Sequence, residues 1–270
     1  MDWHLIVPGE NAFSPVDFQA AYEVRLRCGK PMQVIGPFGR KEGTLSLSPQ
    51  QLHLAAQALC GHQLARHEKA LTEGFVPLPG GHRMGVCGEM KEGNILCYSA
   101  LCVRMAHEVK QAAKGIFPMV YQKNVLIIGP PGSGKTTLLR DLVRRTARDI
   151  PVALIDSRGE IAACFQGVPQ LDVGPMCDVM TGGEKGKVMM TMLRSMNPRM
   201  MATDELGTPE DAAALVEMQR CGVEVMATCH AHSLEDAKTR PSLASLFQHR
   251  LFSYAILLEA PGIPPRVVTL

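Results

Sequence analysis

The sequence has few aromatic residues, little net charge and no long apolar run. It contains one Trp and four Tyr in 270 residues, and no basic stretch is interleaved with them, so a surface that stacks nucleic-acid bases is not indicated. The formal net charge of +2 is too small to argue for a nucleic-acid partner by itself. No apolar segment approaches the roughly 18 residues that a membrane helix needs. A role at a membrane would therefore require a partner protein.

Paired cysteine motifs are also missing. The nine cysteines include no C-x-x-C pair, and their odd number in a chain of this length favours reduced thiols in a cytoplasm over a disulfide framework. The first residues, "MDWHLIVPGE", carry no apolar core of a signal peptide, so export is not expected. Neither internal repeats nor low-complexity segments are visible. The apolar content of 46% and the charged content of 20% are those of an ordinary soluble globular protein.

The first third of the chain predicts a small α+β domain. Tyr22–Arg27 alternates apolar and polar residues, as a half-buried strand does. Ser48, Pro49 and Gln51 predict the start of a helix with a capping box, and this helix is expected to run to Gly61. A second helix is expected over residues 62–74. Two further strands are expected within the segments 80–89 and 94–106, joined through a Gly-Asn turn.

The pattern changes after about Lys110. Short apolar runs now alternate with helical segments, and the runs read "NVLIIG", "VALID", "RMMATD", "VEVMAT" and "YAILLE". Runs with so little alternation indicate strands buried on both faces, as in a parallel sheet covered by helices. Thr208, Pro209 and Gly222 mark the ends of one of the helices. We therefore predict a domain at 1–108 and a second domain at 109–270.

A phosphate-binding loop follows the first of these apolar runs. The segment "GPPGSGKT" fits G-x-x-x-x-G-K-[ST], with a strand before it and a helix after it. Backbone N–H groups of such a loop, and the helix N-terminus, would face the phosphates of ATP. Lys135 would reach the β- and γ-phosphates. The residues expected to bind the nucleotide are Gly129, Pro130, Pro131, Gly132, Ser133, Gly134, Lys135, Thr136 and Thr137.

Two acids end a later apolar run, in "RMMATDELG". Thr136 and Asp204 are expected to hold Mg²⁺, and Glu205 is expected to polarise the attacking water. Two solvated loop acids would give the same letters, but their place after a buried strand and behind a phosphate loop favours the functional interpretation. Asp156 and Glu160 in "LIDSRGEIA" form another candidate pair at a sheet end where ligands bind. Arg158 could instead pair with either acid and leave both structural, so both interpretations stay open.

The segment "VMATCHAHSLEDA" holds Cys229, His230 and His232 close together. A zinc site would need a second pair of ligands at suitable spacing, and none follows. We expect His230 to contact the γ-phosphate or its water, and the next helix, "SLEDAKTR", to transmit that contact. Cys229 is expected to pack, and His232 to lie near the helix cap or in solvent.

The ordered set of phosphate loop, acid pair, Asp-Glu and Thr-x-His-Ala resembles the secretion-type ATPase superfamily, the motors of type II and type IV secretion and of type IV pili. Longer blocks, "EVRLRCGKP", "GGHRMGVCGE", "DSRGEIAACFQGVPQLDVG", "LRSMNPRMMATDELG" and "TCHAHSLEDAKTRP", resemble the stage III sporulation protein AA family over nearly the whole chain. Where that family has "AHGxS" and a Cys-Pro pair, this chain has "CHAHS" and "TGGEKGK".

The resemblance implies a RecA-like P-loop NTPase core with a mainly parallel sheet, preceded by a small α+β N-terminal domain. It implies an ATPase with ATP and Mg²⁺ as cofactors, acting as a homo-hexamer with membrane-embedded sporulation channel proteins. Such a protein would lie in the cytoplasm, peripheral at the mother-cell side of the membrane, and would energise or assemble the channel to the forespore. Relatives bring arginines of the front domain to the phosphates, so Arg83 and Arg104 are candidates, although both alternate with apolar neighbours on strands and could equally be exposed and idle. Arg194, in the helix before "RMMATDELG", is a third candidate, with a salt bridge on the helix surface as its alternative role.

Other functions remain to be weighed against this one. A nucleic-acid-stimulated ATPase would share the core, but the chain closes on "PPRVVTL" without an evident single-strand-binding module, so nucleic acid is not expected. A nucleotide-dependent scaffold that does not hydrolyse ATP would keep the same motifs. A small-molecule kinase would need an Arg-rich lid segment, and none stands out.

Overall fold

The computed structural model describes residues 1–61, 75–91 and 94–270, without the side chains of His4 and Asn94. The chain forms two compact units, Met1–Glu108 and Val109–Leu270. The helix predicted over residues 62–74, and residues 92–93 of the predicted turn, lie outside the described residues. None of the helices within the described ranges is long and apolar enough to cross a membrane.

The first unit contains a six-stranded antiparallel sheet with the strand order β3-β2-β1-β6-β5-β4. Its strands are β1 (Glu23–Arg27), β2 (Lys30–Gly36), β3 (Gly39–Ser46), β4 (Phe75–Pro77), β5 (Arg83–Lys91) and β6 (Asn94–Arg104). Val24 and Leu26 of β1 are fully buried while their neighbours are partly exposed, which confirms the alternation expected of a half-buried strand.

Three helices accompany this sheet in the described part of the first unit: α1 (Trp3–Ile6), α2 (Pro15–Ala20) and α3 (Pro49–Leu59). The predicted capping box of α3 is confirmed, because Ser48 accepts the Gln51 N–H and the Gln51 side chain accepts the Ser48 N–H. The apolar face of α3, with Leu52 and Leu59, joins the core of the unit.

The second unit contains a seven-stranded sheet in the order β13-β12-β7-β11-β10-β8-β9. Its strands are β7 (Val125–Gly129), β8 (Val152–Ile155), β9 (Cys177–Met180), β10 (Met200–Glu205), β11 (Glu224–His230), β12 (Tyr254–Leu257) and β13 (Arg266–Thr269). All neighbouring pairs are parallel except β12 with β13. The mainly parallel sheet that the apolar runs predicted is thereby confirmed, with β9 and β13 as edge strands that were not predicted.

The helices described in the second unit are α4 (Phe117–Val120), α5 (Lys135–Thr146), α6 (Lys185–Met196), α7 (Pro209–Arg220), α8 (Leu234–Thr239) and α9 (Pro241–Gln248). The predicted start of α7 is confirmed: Thr208 caps it through the Asp211 N–H, and Pro209 follows. Helices and strands form one apolar cluster around Leu126 and Met201 and another around Ile127 and Leu139.

These two clusters bury both faces of the central strands, which explains why the runs are continuously apolar. Every residue of β7 and β8 is buried. The central strands β7, β8, β10 and β11 are mutually parallel, so their carboxyl ends meet at one edge of the sheet. That edge carries Gly129, Asp204, Glu205 and His230, and the functional candidates of this unit collect there.

Candidate active site

The phosphate-binding loop connects the end of β7 to the start of α5, and its glycines are required by its shape. Gly132 and Gly134 have φ of +75° and +95°, a region that other residues rarely adopt. A Cβ on Gly129 would lie 2.5 Å from Ser133 Oγ and 2.7 Å from the Leu258 carbonyl oxygen. The loop therefore packs closely on itself, and the N-terminus of α5 opens toward the adjoining cavity.

Lys135, the first residue of α5, points into this loop. Its Nζ donates to the carbonyl oxygens of Gly129, at 2.8 Å, and Pro130, at 2.7 Å, and lies 2.9 Å from His230 Nδ1. Burial lowers the pKa of Lys135, and the charge of Glu205 acts in the opposite direction. Since an ammonium only donates, Nδ1 of His230 accepts this hydrogen bond and the ring proton is on Nε2.

Glu205 continues the chain of polar contacts. Its Oε2 lies 3.0 Å from His230 Nε2 and 2.6 Å from Arg158 Nη2. Neither contact has the angles of a hydrogen bond, so this oxygen lacks such a partner within the described ranges of the chain. Lys135, His230, Glu205 and Arg158 thus form a continuous series of charged and polar side chains around the phosphate loop.

Asp204 lies beside Glu205, and its carboxylate is directed away from His230, as the alternation of side chains along a strand allows. Ser157 Oγ lies 2.8 Å from both carboxylate oxygens, and the Arg158 N–H donates to Oδ2 at 3.1 Å. Lys185 Nζ lies 2.5 Å from Oδ1 and also donates to the Glu205 carbonyl oxygen. Asp204 is 7% exposed, so these three donors set its position.

A cavity of about 410 Å³ joins these groups. Its lining residues are Pro131, Gly132, Gly134, Lys135, Thr136, Thr137, Leu139, Arg158, Glu160, Ile161, Asp204, Glu205, Thr228 and His230. The structure therefore brings together the predicted phosphate loop, the Asp-Glu pair, Glu160 and His230. Gly129, Pro130 and Ser133 belong to the same loop without lining the cavity.

The cavity suits a nucleotide phosphate with a divalent cation. Glu205 Oε2, on a residue that lines the cavity, has no hydrogen-bond partner among the described residues, so a polar atom of the site is available for a ligand or its water. The Thr136 hydroxyl and the Asp204 carboxylate are hard oxygen donors of the kind that Mg²⁺ prefers. No group of three or more His, Cys, Asp or Glu side chains in the parts described is placed to hold a metal ion by itself, so Mg²⁺ there would need phosphate and water as further ligands. The donor set fits that requirement.

Asp156 does not have the position predicted for a catalytic acid. It is fully buried and accepts the N–H groups of Glu160, Ile161 and Ala162 at 2.9, 3.1 and 2.8 Å. Burial raises the pKa of Asp156, although these three hydrogen bonds lower it. Its carboxylate closes the loop that carries Arg158 and Glu160, because both oxygens are used by that loop's backbone. Glu160 itself lines the cavity.

Two of the arginines predicted to reach the phosphates belong to the first unit. Arg83 and Arg104 are paired residues on β5 and β6 of the first unit, and Arg83 lies over the Phe75 ring. Their contact with the phosphates stays a prediction.

Cys229 is buried, and burial raises the pKa of its thiol to about 12. The side chain of His232 is exposed, and its N–H donates to Asp236.

Three residues at the site were not predicted. Ser157 and Lys185 contact Asp204, and Arg158 contacts Glu205 rather than only the acids beside it in sequence. No spacing rule for the glycine-rich segment "TGGEKGK" predicts that its Lys185 contacts Asp204, some twenty residues later in the sequence. The one available signal is that Lys185 is the first residue of a helix that leads directly to the strand with Asp204.

The fold and the phosphate-binding loop define a P-loop NTPase architecture with a mainly parallel sheet. The chain is similar to the ATPase DotB of Legionella pneumophila, with 16% identity and a TM-score of 0.63 over 97% of this chain and 81% of that one. It is also similar to the pilus retraction motor PilT solved with ADP, with 16% identity and a TM-score of 0.65 over 93% and 79%.

The family model of sporulation stage III, protein AA matches residues 12–270. The stage III sporulation protein AA of Bacillus subtilis is 36% identical over 275 aligned positions, 94% of this chain and 88% of that protein. The chain therefore belongs to the sporulation stage III, protein AA family. The P-loop NTPase fold that the motifs and the resemblance implied is confirmed by the similarity to DotB and PilT.

Proposed function

We propose that the protein hydrolyses ATP in a Mg²⁺-dependent reaction. The observation that carries this proposal is the convergence of Lys135, Glu205 and His230 on a cavity that also contains the loop N-terminal to α5. A cationic donor for the phosphates and a carboxylate that can position water are groups that phosphoryl transfer to water uses, and the imidazole connects the two at this cavity. ATP is the proposed nucleotide because similar folds belong to ATPases, one solved with ADP.

Each side chain has a defined task in this mechanism. Lys135 and the loop N–H groups bind the phosphates, which requires Lys135 to exchange its carbonyl partners for phosphate oxygens. Glu205 accepts a hydrogen bond from the attacking water and positions it. His230 touches both Lys135 and Glu205, so a change at the lysine reaches the carboxylate through one ring. Mg²⁺, held by Thr136 and Asp204, would neutralise phosphate charge.

The proposed biological role is to energise or assemble the channel between mother cell and forespore. Membership of a sporulation stage III family supports the setting, and the similarity of the fold to an ATPase and to a pilus retraction motor supports a mechanical use of ATP. We propose a homo-hexamer that works on membrane-embedded channel proteins from the cytoplasmic side of the mother-cell membrane. Measuring the mass of the assembly with and without nucleotide tests whether the protein forms a hexamer.

The decisive experiment measures phosphate release and ADP binding by wild type and the variant Lys135→Ala. Loss of the cationic phosphate ligand should lower turnover by at least about 100-fold, the size expected for one preorganised electrostatic contact. Lys187→Ala is the matched control, since Lys187 is 79% exposed and its ion-pair partner in the described part of the chain is the similarly exposed surface residue Glu184. Unchanged melting temperatures should accompany both substitutions.

Two outcomes would contradict the proposal. Retained turnover in Lys135→Ala would remove the phosphate assignment. Nucleotide binding without phosphate release, in the assembled wild-type protein, would favour a scaffold that uses nucleotide only to assemble. Stimulation by single-stranded nucleic acid would instead favour the nucleic-acid ATPase.

A further inference from the structure

Lys185 is a partly buried lysine whose ammonium contacts the carboxylate proposed to bind Mg²⁺. It is the first residue of α6, and its side chain is 12% exposed. Its Nζ lies 2.5 Å from Asp204 Oδ1 and donates to the carbonyl oxygen of Glu205. A lysine is rarely buried unless its charge is paired, and here two oxygens from the end of one strand pair with it.

The carboxylate of Asp204 is already well supplied with donors. A carboxylate has about four positions for hydrogen bonds. Ser157 Oγ contacts both oxygens, the Arg158 N–H contacts Oδ2, and Lys185 contacts Oδ1. Of these donors only Lys185 brings a full positive charge to the carboxylate. The ammonium of Lys185 would therefore repel a second cation, such as Mg²⁺, at the same carboxylate.

We infer that Lys185 is a positioning residue that holds Asp204 and competes with the divalent cation for its carboxylate. The inference rests on the proposed function, since it assigns a cation to Asp204. An ammonium in contact with one carboxylate oxygen would repel a divalent ion near the other oxygen. Each cation would therefore bind Asp204 more weakly in the presence of the other. Cation binding at Asp204 would thus weaken the hold of Lys185 and reach helix α6.

The surroundings of Lys185 offer its side chain another position. Lys185 also lines a groove of about 980 Å³ on the side of α6 and α7, together with Glu184, Glu210 and Glu217. Glu184 and Glu217 pair with Lys187 and Arg220, so the groove offers the ammonium of Lys185 mainly solvent, which it can reach from Asp204 by side-chain rotation. The exchange therefore needs no unfolding of α6.

The test titrates Mn²⁺ into the full-length protein with saturating ADP and reads free Mn²⁺ by its electron paramagnetic resonance signal. Wild type is compared with Lys185→Met, Lys185→Gln and the control Lys187→Met. Removing the competing charge should tighten Mn²⁺ binding about five-fold, the effect of one unit charge at a partly screened distance. Lys185→Gln keeps a donor toward Asp204, so it should fold even if Lys185→Met does not.

Unchanged or weaker Mn²⁺ binding in folded Lys185→Gln would overturn the inference, as would equal tightening in Lys187→Met. A separate titration with a fluorescent ADP analogue keeps the two proposals distinguishable. Failure of wild type to bind that analogue would contradict the proposed function itself. Normal binding of the analogue with no shift in Mn²⁺ affinity would contradict only the role of Lys185.

Discussion

Helix α5 carries two clusters of charged side chains, and they differ in how completely their polar atoms are paired. One cluster lies at the first residue, where Lys135 meets His230 beside the cavity. The other lies in the second half of the helix, where Asp141 is surrounded by Arg144 and Arg145. Both are partly buried charges on one helix, so the difference between them reflects their partners rather than their setting.

The Asp141 cluster is saturated. Asp141 Oδ1 accepts from Arg144 and from the Gln111 N–H at 3.2 Å, and Oδ2 accepts from the Ala113 N–H and Arg145 Nε, both at 2.9 Å. Although burial alone would raise it, these donors bring the pKa of Asp141 down to about 2. The carboxylate ties the segment before α4 to α5, so its role is structural.

The polar atoms in and around the cavity cluster are less completely paired, and of the two described next only Glu205 Oε2 belongs to a residue that lines the cavity. Ser133 Oγ and Glu205 Oε2 are buried without a hydrogen-bond partner in the described portions of the chain. Burial also lowers the pKa of Lys135. Buried polar groups that are incompletely paired beside a cavity indicate a ligand site, whereas saturated ones stabilise a fold. The comparison predicts that substitutions in the two clusters affect different quantities.

The largest effect is expected on turnover, for Glu205→Gln. The amide keeps the shape of the side chain but cannot take a proton or carry the negative charge that positions water. Phosphate release should fall about 1000-fold, within the range for general base catalysis, while ADP affinity stays within two-fold. The control is Glu217→Gln on α7, whose side chain is 43% exposed. If Glu205→Gln kept wild-type turnover, a group other than Glu205 would have to position the attacking water.

Asp141→Asn should lower stability and leave the site chemistry intact. Breaking one partner of a buried ion pair leaves uncompensated charge on Arg144, which costs about 3 kcal/mol. Urea denaturation should show this loss, and ADP affinity should be unchanged at a temperature where the variant is folded. The exposed Asp149→Asn on the following turn should cost less than about 0.5 kcal/mol. Equal stability of Asp141→Asn and wild type would end the contrast between the clusters.

The parts of this fold that were predictable depend on local sequence. Ser48 and Thr208 lie three residues before their N3 partners, so their capping boxes could be read from spacing alone. The phosphate loop likewise lies within eight consecutive residues. In contrast, the contact of Lys185 with Asp204 and the closure of the loop by Asp156 depend on strand order and burial. Local patterns do not contain that information.

The edge strands were missed for a related physical reason. β9, with the sequence "CDVM", and β13, with "RVVT", are four residues long and only partly buried. An edge strand packs on fewer neighbours, so it needs no continuous apolar run. The runs that predicted β7, β8, β10 and β11 exist because these strands are covered on both faces.

Low pH should remove the contribution of the Asp141 cluster to folding stability. Because the folded pKa of Asp141 is about 2, below its unfolded value, its contribution is fully present above about pH 4 and is lost as the pH falls toward 2. The loss corresponds to about 2 kcal/mol. Urea denaturation at pH 5, 4, 3 and 2.5 measures it as the difference between wild type and Asp141→Asn, since other acids titrate in both. A difference that does not shrink with acid would contradict the assigned role.

The smallest effects are expected for the two histidines that lie two residues apart. His230 lies between Lys135 and Glu205, so His230→Ala removes the ring that connects the phosphate ligand to the base and should lower turnover about ten-fold. His232 has an exposed side chain and uses only its backbone N–H toward Asp236, so His232→Ala should change turnover less than two-fold. Steady-state phosphate release at saturating ATP measures both. Equal losses would mean that the segment acts through the start of α8 rather than through the ring of His230, because both substitutions would then act on the same backbone.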